Sequence, residues 1–440
     1  MKFPNPKWLV AFACAAASLH AAQAQTAPPL LGFAEYLRAV EASNLDLQSQ
    51  QQNVVSARAG VSIAGVRPDP QLTVGAVSKE LRAQNKPNAS TPLTAGLALT
   101  IETAGKRGAR IRTAESNVRV TQTALEAAHD QLMLDAGAAF VEACRAREVL
   151  ARKQASLGAL REVVRANEIR FKAGDIGQLE LRQSRVEAER FAADVSSAQA
   201  DASGARINLA LPLGQAFEAV FENAALICAF ATPATDADLD DATLQGLLAK
   251  RRDVRAAQAA VDNARDATEL ARANRWVDPV VNIGVTNTPR IPAVLDGGGN
   301  VTNTPTLARS LALGLTVTVP IPFSRLQHGE QTQAEAALTQ AQLQLGSVLL
   351  KAQADVRVTQ AQFRAVADNE RQYREKVQPD AERVLEGARI SYRKGASSLL
   401  ELLNAQRTAD EIALDHLQAQ ADLANASLRL QLNAGARPAL

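Results

Sequence analysis

The sequence predicts a mainly α-helical protein with a membrane β-barrel, built from a duplicated helix-strand-strand-helix-helix unit. Three observations lead there. The composition is rich in alanine and glutamine with only 4% aromatics. Long proline-free stretches carry apolar residues at three-and-four spacing, whereas four short segments alternate with period two.

Alanine has the best helix propensity and lets helices approach closely, so long thin helices are expected and a thick aromatic core is not. No proline lies between Leu93 and Leu211, or between Phe323 and Gln378. Because proline breaks a helix interior, these gaps allow helices over about 108–171 and 329–392, the second bending at Pro379. Each would run for roughly 60 residues, near 90 Å at 1.5 Å per residue. Leu338, Ala341, Leu345, Val348 and Ala352 show the apolar stripe. Helices of that length need partners along their whole length, in coiled-coil style.

The alternating segments are predicted as strands at about 70–79, 93–102, 279–288 and 310–320. Leu97, Leu99, Leu313, Leu315 and Val317 fall on one face, which is expected to meet lipid, while Thr100, Thr316 and Thr318 fall on the other, toward a lumen. A half-buried strand of a soluble sheet alternates in the same way. An N-terminal leader and the lack of any other element to cover such a sheet favour the membrane. The polar stretches between strands, residues 79–92 and 287–309, suit an outer surface.

In that leader, Lys2 and Lys7 precede an apolar stretch from Trp8 to Leu19, and Ala22-Gln23-Ala24 is a small-residue cleavage signal. Residues 1–24 are read as a secretory signal peptide cut after Ala24. The stretch is shorter than the roughly 20 apolar residues of a spanning helix. Cys14 follows Ala11-Phe12-Ala13 without the usual leucine, so lipidation is not expected. Removing the leader takes two lysines and no acids from a net charge of +2, leaving no basic footprint for nucleic acid.

Cys144 and Cys228 lack the paired spacing of a metal site or a disulfide framework and read as buried small hydrophobes. His129, His328 and His416 stand apart and read as polar helix positions. No metal ligand set and no cofactor is expected. Gly105-Lys106 is not a phosphate loop, because Arg107 stands where Ser or Thr is required. With no nucleophile, base and orienter in view, the chain does not read as an enzyme.

The sequence repeats once. Asp69-Pro70 matches Asp278-Pro279, with Gly75 and Gly284 at the same offset; Phe171-Lys172-Ala173-Gly174 and Leu179-Glu180-Leu181 match Tyr392-Arg393-Lys394-Gly395 and Leu400-Glu401-Leu402. Repeat one spans 30–211 and repeat two 243–436, with a small irregular linker expected at 212–242. Gly174 and Gly395 are each placed to end a helix through a left-handed residue. Four strands leave two open edges, which hydrocarbon does not tolerate, so copies of the chain must close the barrel together. Eight, twelve or sixteen strands would serve, and periodicity does not choose.

At this point the chain resembles the TolC-type outer-membrane efflux protein family, and more narrowly its CzcC-like, cobalt-zinc-cadmium branch. The resemblance covers nearly the whole mature chain. It is carried by Asp69-Pro70, by Glu102-Thr103-Ala104-Gly105-Lys106-Arg107 with Ala114, by Pro320-Ile321-Pro322-Phe323 with Gly329 and Ala334, and by the two turns. It implies a homotrimer whose 12-stranded outer-membrane β-barrel continues into a 12-helix periplasmic α-barrel. It further implies a passive exit duct that docks to a periplasmic adaptor and an inner-membrane pump, with heavy-metal cations as the branch's substrate.

By the same resemblance, Gly174, Gly395, Tyr392 and Ser397 belong to the periplasmic tip that meets the adaptor, and Glu180 and Glu401 to acidic rings at the entrance. Asn404 and Ser397 stand where relatives carry an acid and an arginine. Ser398-Leu399-Leu400-Glu401 also reads as a capping box, and both roles of Glu401 can coexist. A periplasmic coiled-coil adaptor is the alternative class. It would have the leader and the long helices but no need of two symmetrically placed strand pairs.

Overall fold

A computed structural model describes residues 29–76, 91–229, 246, 248–290, 297–300, 308–321 and 328–433. The leader with its cleavage site and Cys14, most of both polar loops, and Pro322-Phe323 lie outside the described residues.

Each repeat runs helix, two strands, long helix, turn and returning helix. In repeat one, strand β1 (Leu30–Leu31) and helices α1 (Phe33–Ser43) and α2 (Leu45–Ala64) lead to β2 (Gln71–Ala76) and β3 (Leu93–Thr100), then to α3 (Lys106–Ala173) and α4 (Gln178–Asn208). Asn44 separates α1 from α2 because its side chain accepts the Leu47 N–H at 2.7 Å, starting a new helix instead of continuing the old one. Between the repeats come α5 (Ala210–Leu213), α6 (Phe217–Phe221) and β4 (Ala225–Leu226). Repeat two contains α7 (Arg252–Asn274), β5 (Val280–Thr288), β6 (Ser310–Thr318), α8 (Gly329–Gln372), α9 (Gln378–Arg393) and α10 (Leu399–Asn433).

α3 holds 68 residues, about 100 Å at 1.5 Å per residue. Its counterpart is interrupted at residues 373–377 by a π-helical turn, in which the Gln378 N–H reaches the Tyr373 carbonyl. Pro379 explains this, since it cannot donate and its ring crowds the carbonyl four residues back; the wider turn relieves both. At this turn Glu370 is buried, with Arg374 at 3.1 Å and His416 at 3.5 Å, and the Tyr373 ring stacks on His416. His416 is thus a polar helix position, as read, and a buried one, set beside Glu370.

The core at mid-length corrects three expectations. Cys144 and Cys228 are bonded as a disulfide, their Cα atoms 5.5 Å apart across a separation of 84 residues. Spacing could not reveal this, because the cysteines meet only after α3 and α4 fold back on each other. The linker is not irregular within its described part: α5, α6 and β4 are ordered, and β4 pairs in parallel with β1. Aromatics are scarce but concentrated here. Phe33, Tyr36, Phe140, Phe217 and Phe221 contact one another with ring centroids 5.3 to 6.5 Å apart. The Tyr36 hydroxyl is satisfied by the Leu209 carbonyl at 3.0 Å, and burial pushes its pKa upward.

Beyond this core the two hairpins, α3 with α4 and α9 with α10, pack together through Leu160, Ala188, Leu385, Leu399, Leu402 and Leu403. The strands form one antiparallel sheet in the order β2-β3-β5-β6, so the repeats join between β3 and β5.

Candidate functional site

Two regions, separated by the length of α3, hold the residues singled out by sequence. At the sheet, the register sorts side chains by face. Leu72, Leu97, Ile283 and Leu315 lie opposite one another across all four strands, as do Val74, Ala95, Val285 and Leu313. The other face carries Gln71, Ala98, Asn282 and Thr316 in one row and Thr73, Gly96, Gly284 and Gly314 in the next. Leu313 and Leu315 are 78% and 69% exposed, and among the described residues no helix makes an extended contact with either face. Leu97, Leu99, Leu313, Leu315 and Val317 thus share one uncovered apolar face. Among the described residues no helix is long and apolar enough to cross a membrane.

At the base of the sheet, Asp278 locks the junction of the repeats. It accepts the Thr103 N–H at 2.9 Å and the Lys106 ammonium at 2.7 Å, with the lysine side chain 6% exposed. Thr103 also donates its hydroxyl to the Val277 carbonyl, and Arg110 pairs with Glu102. The run from Glu102 to Arg107 is therefore a strand-to-helix corner, with Gly105 left-handed at φ 69°.

The far ends of the hairpins repeat each other bond for bond. The Asp175 N–H bonds to Arg170 O and Gly174 N–H to Phe171 O; Ala396 N–H bonds to Ser391 O and Gly395 N–H to Tyr392 O. Both are Schellman endings, with φ of 83° at Gly174 and 71° at Gly395, a conformation that costs other residues about 1–2 kcal/mol.

The repeats diverge immediately afterwards. α10 begins at Ser398, whose N–H donates to Glu401 at 3.0 Å while its hydroxyl accepts the Glu401 N–H at 3.3 Å, closing the capping box. α4 begins at Gly177, which has no side chain to cap with. Glu180 instead lies 3.0 Å from the hydroxyl of Tyr392, which is also 2.6 Å from Asn167 Oδ1. One phenolic proton cannot serve both acceptors, and Asn167 Nδ2 is buried without a partner. Turning that amide by 180° resolves both problems: Nδ2 donates to the hydroxyl and the hydroxyl donates to Glu180. Arg170 stacks over the Tyr392 ring at 5.2 Å. The result is a latch that ties α3 and α4 to α9. Burial first, and then the Glu180 carboxylate, push the Tyr392 pKa up to about 12.

Ser397 is half-buried, with its hydroxyl oxygen out of solvent and unpartnered. Higher in the hairpins, Asp410 accepts from Ser156 at 2.6 Å and Gln406 at 2.9 Å, and Arg407 grips Glu187 through Nε and Nη2. That grip holds the Glu187 pKa below the usual carboxylate range. Sequence reasoning identified Tyr392, Glu180 and Glu401 but missed Asn167, Arg170 and this ladder. Their partners lie on other helices, and no local spacing marks them.

A sheet with an uncovered apolar face, carried on paired helices of which α3 alone runs about 100 Å, defines a protomer of a membrane-inserted duct. The chain belongs to the outer membrane efflux protein family, whose model matches residues 37–215 and 243–436. It is 24% identical over 388 residues to the cobalt-zinc-cadmium resistance protein CzcC of Cupriavidus metallidurans, covering 85% of this chain and 83% of that one. Its fold is similar to solved structures of CusC, with TM-score 0.73, 18% identity and 92% of each chain covered. It is also similar to the Campylobacter jejuni CmeC outer membrane channel, with TM-score 0.74, 16% identity, and 92% and 85% covered. The protein is an outer-membrane efflux channel subunit.

Proposed function

We propose that the chain, exported with removal of residues 1–24, assembles as a homotrimer and serves as the exit duct for an inner-membrane pump and a periplasmic adaptor. The carrying observation is the four-stranded sheet, in which β2 and β6 are each paired along one edge only among the described residues. An unpaired edge and an apolar face have one stable setting together, a closed barrel in lipid. Three copies would supply twelve strands, the number the family resemblance implies.

The apolar row from Leu72 to Leu315 faces lipid in this reading, and the threonine face lines the lumen. The turns at Gly174 and Gly395 form the adaptor-facing tip with Tyr392 and Ser397, and Glu180 and Glu401 give the entrance an acidic lining. Heavy-metal cations are the proposed cargo, on the likeness to CzcC.

The experiment is electrophoresis without boiling, followed by metal tolerance of a strain lacking the gene. An SDS-resistant trimer and restored tolerance to divalent cations on complementation support the reading. A monomer extracted without detergent would overturn it. Glu401→Gln and Glu180→Gln test the acidic entrance, because glutamine keeps the capping box and the acceptor for Tyr392 while removing the charge. Reduced cation preference and divalent block in reconstituted channels is expected.

A further inference from the structure

The internal duplication carries information about a contact that a single chain cannot make. Gly75 and Gly284 occupy equivalent positions, and their strand partners are Thr94 and Gly314. With these matched, Leu97 answers to Val317, Leu99 to Val319, Thr100 to Pro320 and Ile101 to Ile321. The junction of β3 with β5 is then the internal copy of the junction that β6 of one protomer makes with β2 of the next.

We infer that β6 and β2 of adjacent copies pair antiparallel with Thr73 opposite Thr318, Leu72 opposite Val319 and Val74 opposite Val317, and with the Ile321 N–H donating to the Pro70 carbonyl. This rests on the oligomeric reading above and adds the register to it.

Two observations support the register. The Ile101 N–H donates to the Pro279 carbonyl at 2.9 Å, so the internal junction supplies the last bond of the pattern. That bond sets the neighbouring pair, Thr100 with Val280, as one in which neither N–H faces the partner strand. Pro320, the counterpart of Thr100, therefore stands where its missing N–H costs the ladder nothing. The faces also agree, since every apolar residue of β2 meets an apolar residue of β6 or the Val319 just beyond it in this register. A slip of one residue would place Leu72 against Thr318 and mix the faces.

Thr73 and Thr318 form a pair without ladder hydrogen bonds in this register, and such pairs hold their Cα atoms about 4.5 Å apart, within disulfide range. The test is Thr73→Cys with Thr318→Cys in one chain, against Thr73→Cys with Thr316→Cys, expressed at full length and oxidised in membranes. The first is expected to give covalent dimers and trimers on boiled, non-reducing gels that thiol reductant collapses to monomer. The second should stay largely monomeric, as should each single variant. If the Thr316 pair crosslinks better, or if the Thr318 pair fails while the unboiled trimer is intact, the register is wrong. If the parent chain forms no SDS-resistant oligomer, the assembly reading itself fails, a separate outcome.

Discussion

Tyr392 ties three helices together through one hydroxyl, and the reason is a single missing side chain elsewhere. Gly177 cannot cap α4, so Glu180 is available to Tyr392, whereas Ser398 engages Glu401. Tyr392→Phe keeps the ring under Arg170 but leaves Asn167 and Glu180 without the hydroxyl. A lost buried hydrogen bond of this kind costs about 1–2 kcal/mol. The tie between α3, α4 and α9 should weaken about tenfold, read as faster amide exchange at the hairpin tips with trimer stability nearly unchanged. The sign of the pH dependence follows from the raised pKa. Tyrosine in an unfolded chain titrates near 10, so the latch is fully present below that and is lost as pH rises through about 12. Wild type should open across that upper window, and Tyr392→Phe should show no such step. Equal alkaline opening in both would show that the hydroxyl is not the latch. Tyr392 and Glu180 were legible in the sequence because the repeat marks them. Asn167 and Arg170 were not, since only the crossing of α3 with α9 gives them a partner.

At the scale of elements, the two hairpins differ in how they are held. The disulfide from Cys144 to Cys228 closes a loop containing the whole tip-ward part of α3 and α4. The second hairpin has no such bond among the described residues and carries the π-helical turn instead. A loop of this size is worth about 2–4 kcal/mol in typical disulfide measurements. Cys144→Ala with Cys228→Ala should therefore lower the melting temperature by several degrees, and reductant should lower that of wild type but not of the double variant. The strands give a second contrast. Leu315→Arg should cost about 2–4 kcal/mol of membrane stability, whereas Thr316→Arg on the opposite face should cost far less. Urea titration in detergent or lipid decides this, and equal costs would overturn the assignment of faces. Strand positions were readable because alternation is local, and the helix break at Pro379 for the same reason. The form of that break, a π-turn over a buried Glu370 and His416, depends on α10 lying alongside.

At the scale of the whole molecule, one chain leaves its sheet unfinished. A sheet with two open edges and an apolar face should hold the protein in the detergent-soluble membrane fraction, and release by osmotic shock would be inconsistent with that. The sequence by itself determined the helical and strand segments, the duplication and the two left-handed glycines. These rest on propensity, periodicity and backbone conformation within a few residues. Only the tertiary structure decided that Cys144 meets Cys228, that α5, α6 and β4 build an aromatic-lined core with β1, and that Tyr392 latches onto Glu180. Each of those depends on residues far apart in sequence arriving at one place, and burial against another element, unlike periodicity, leaves no mark on the neighbouring residues.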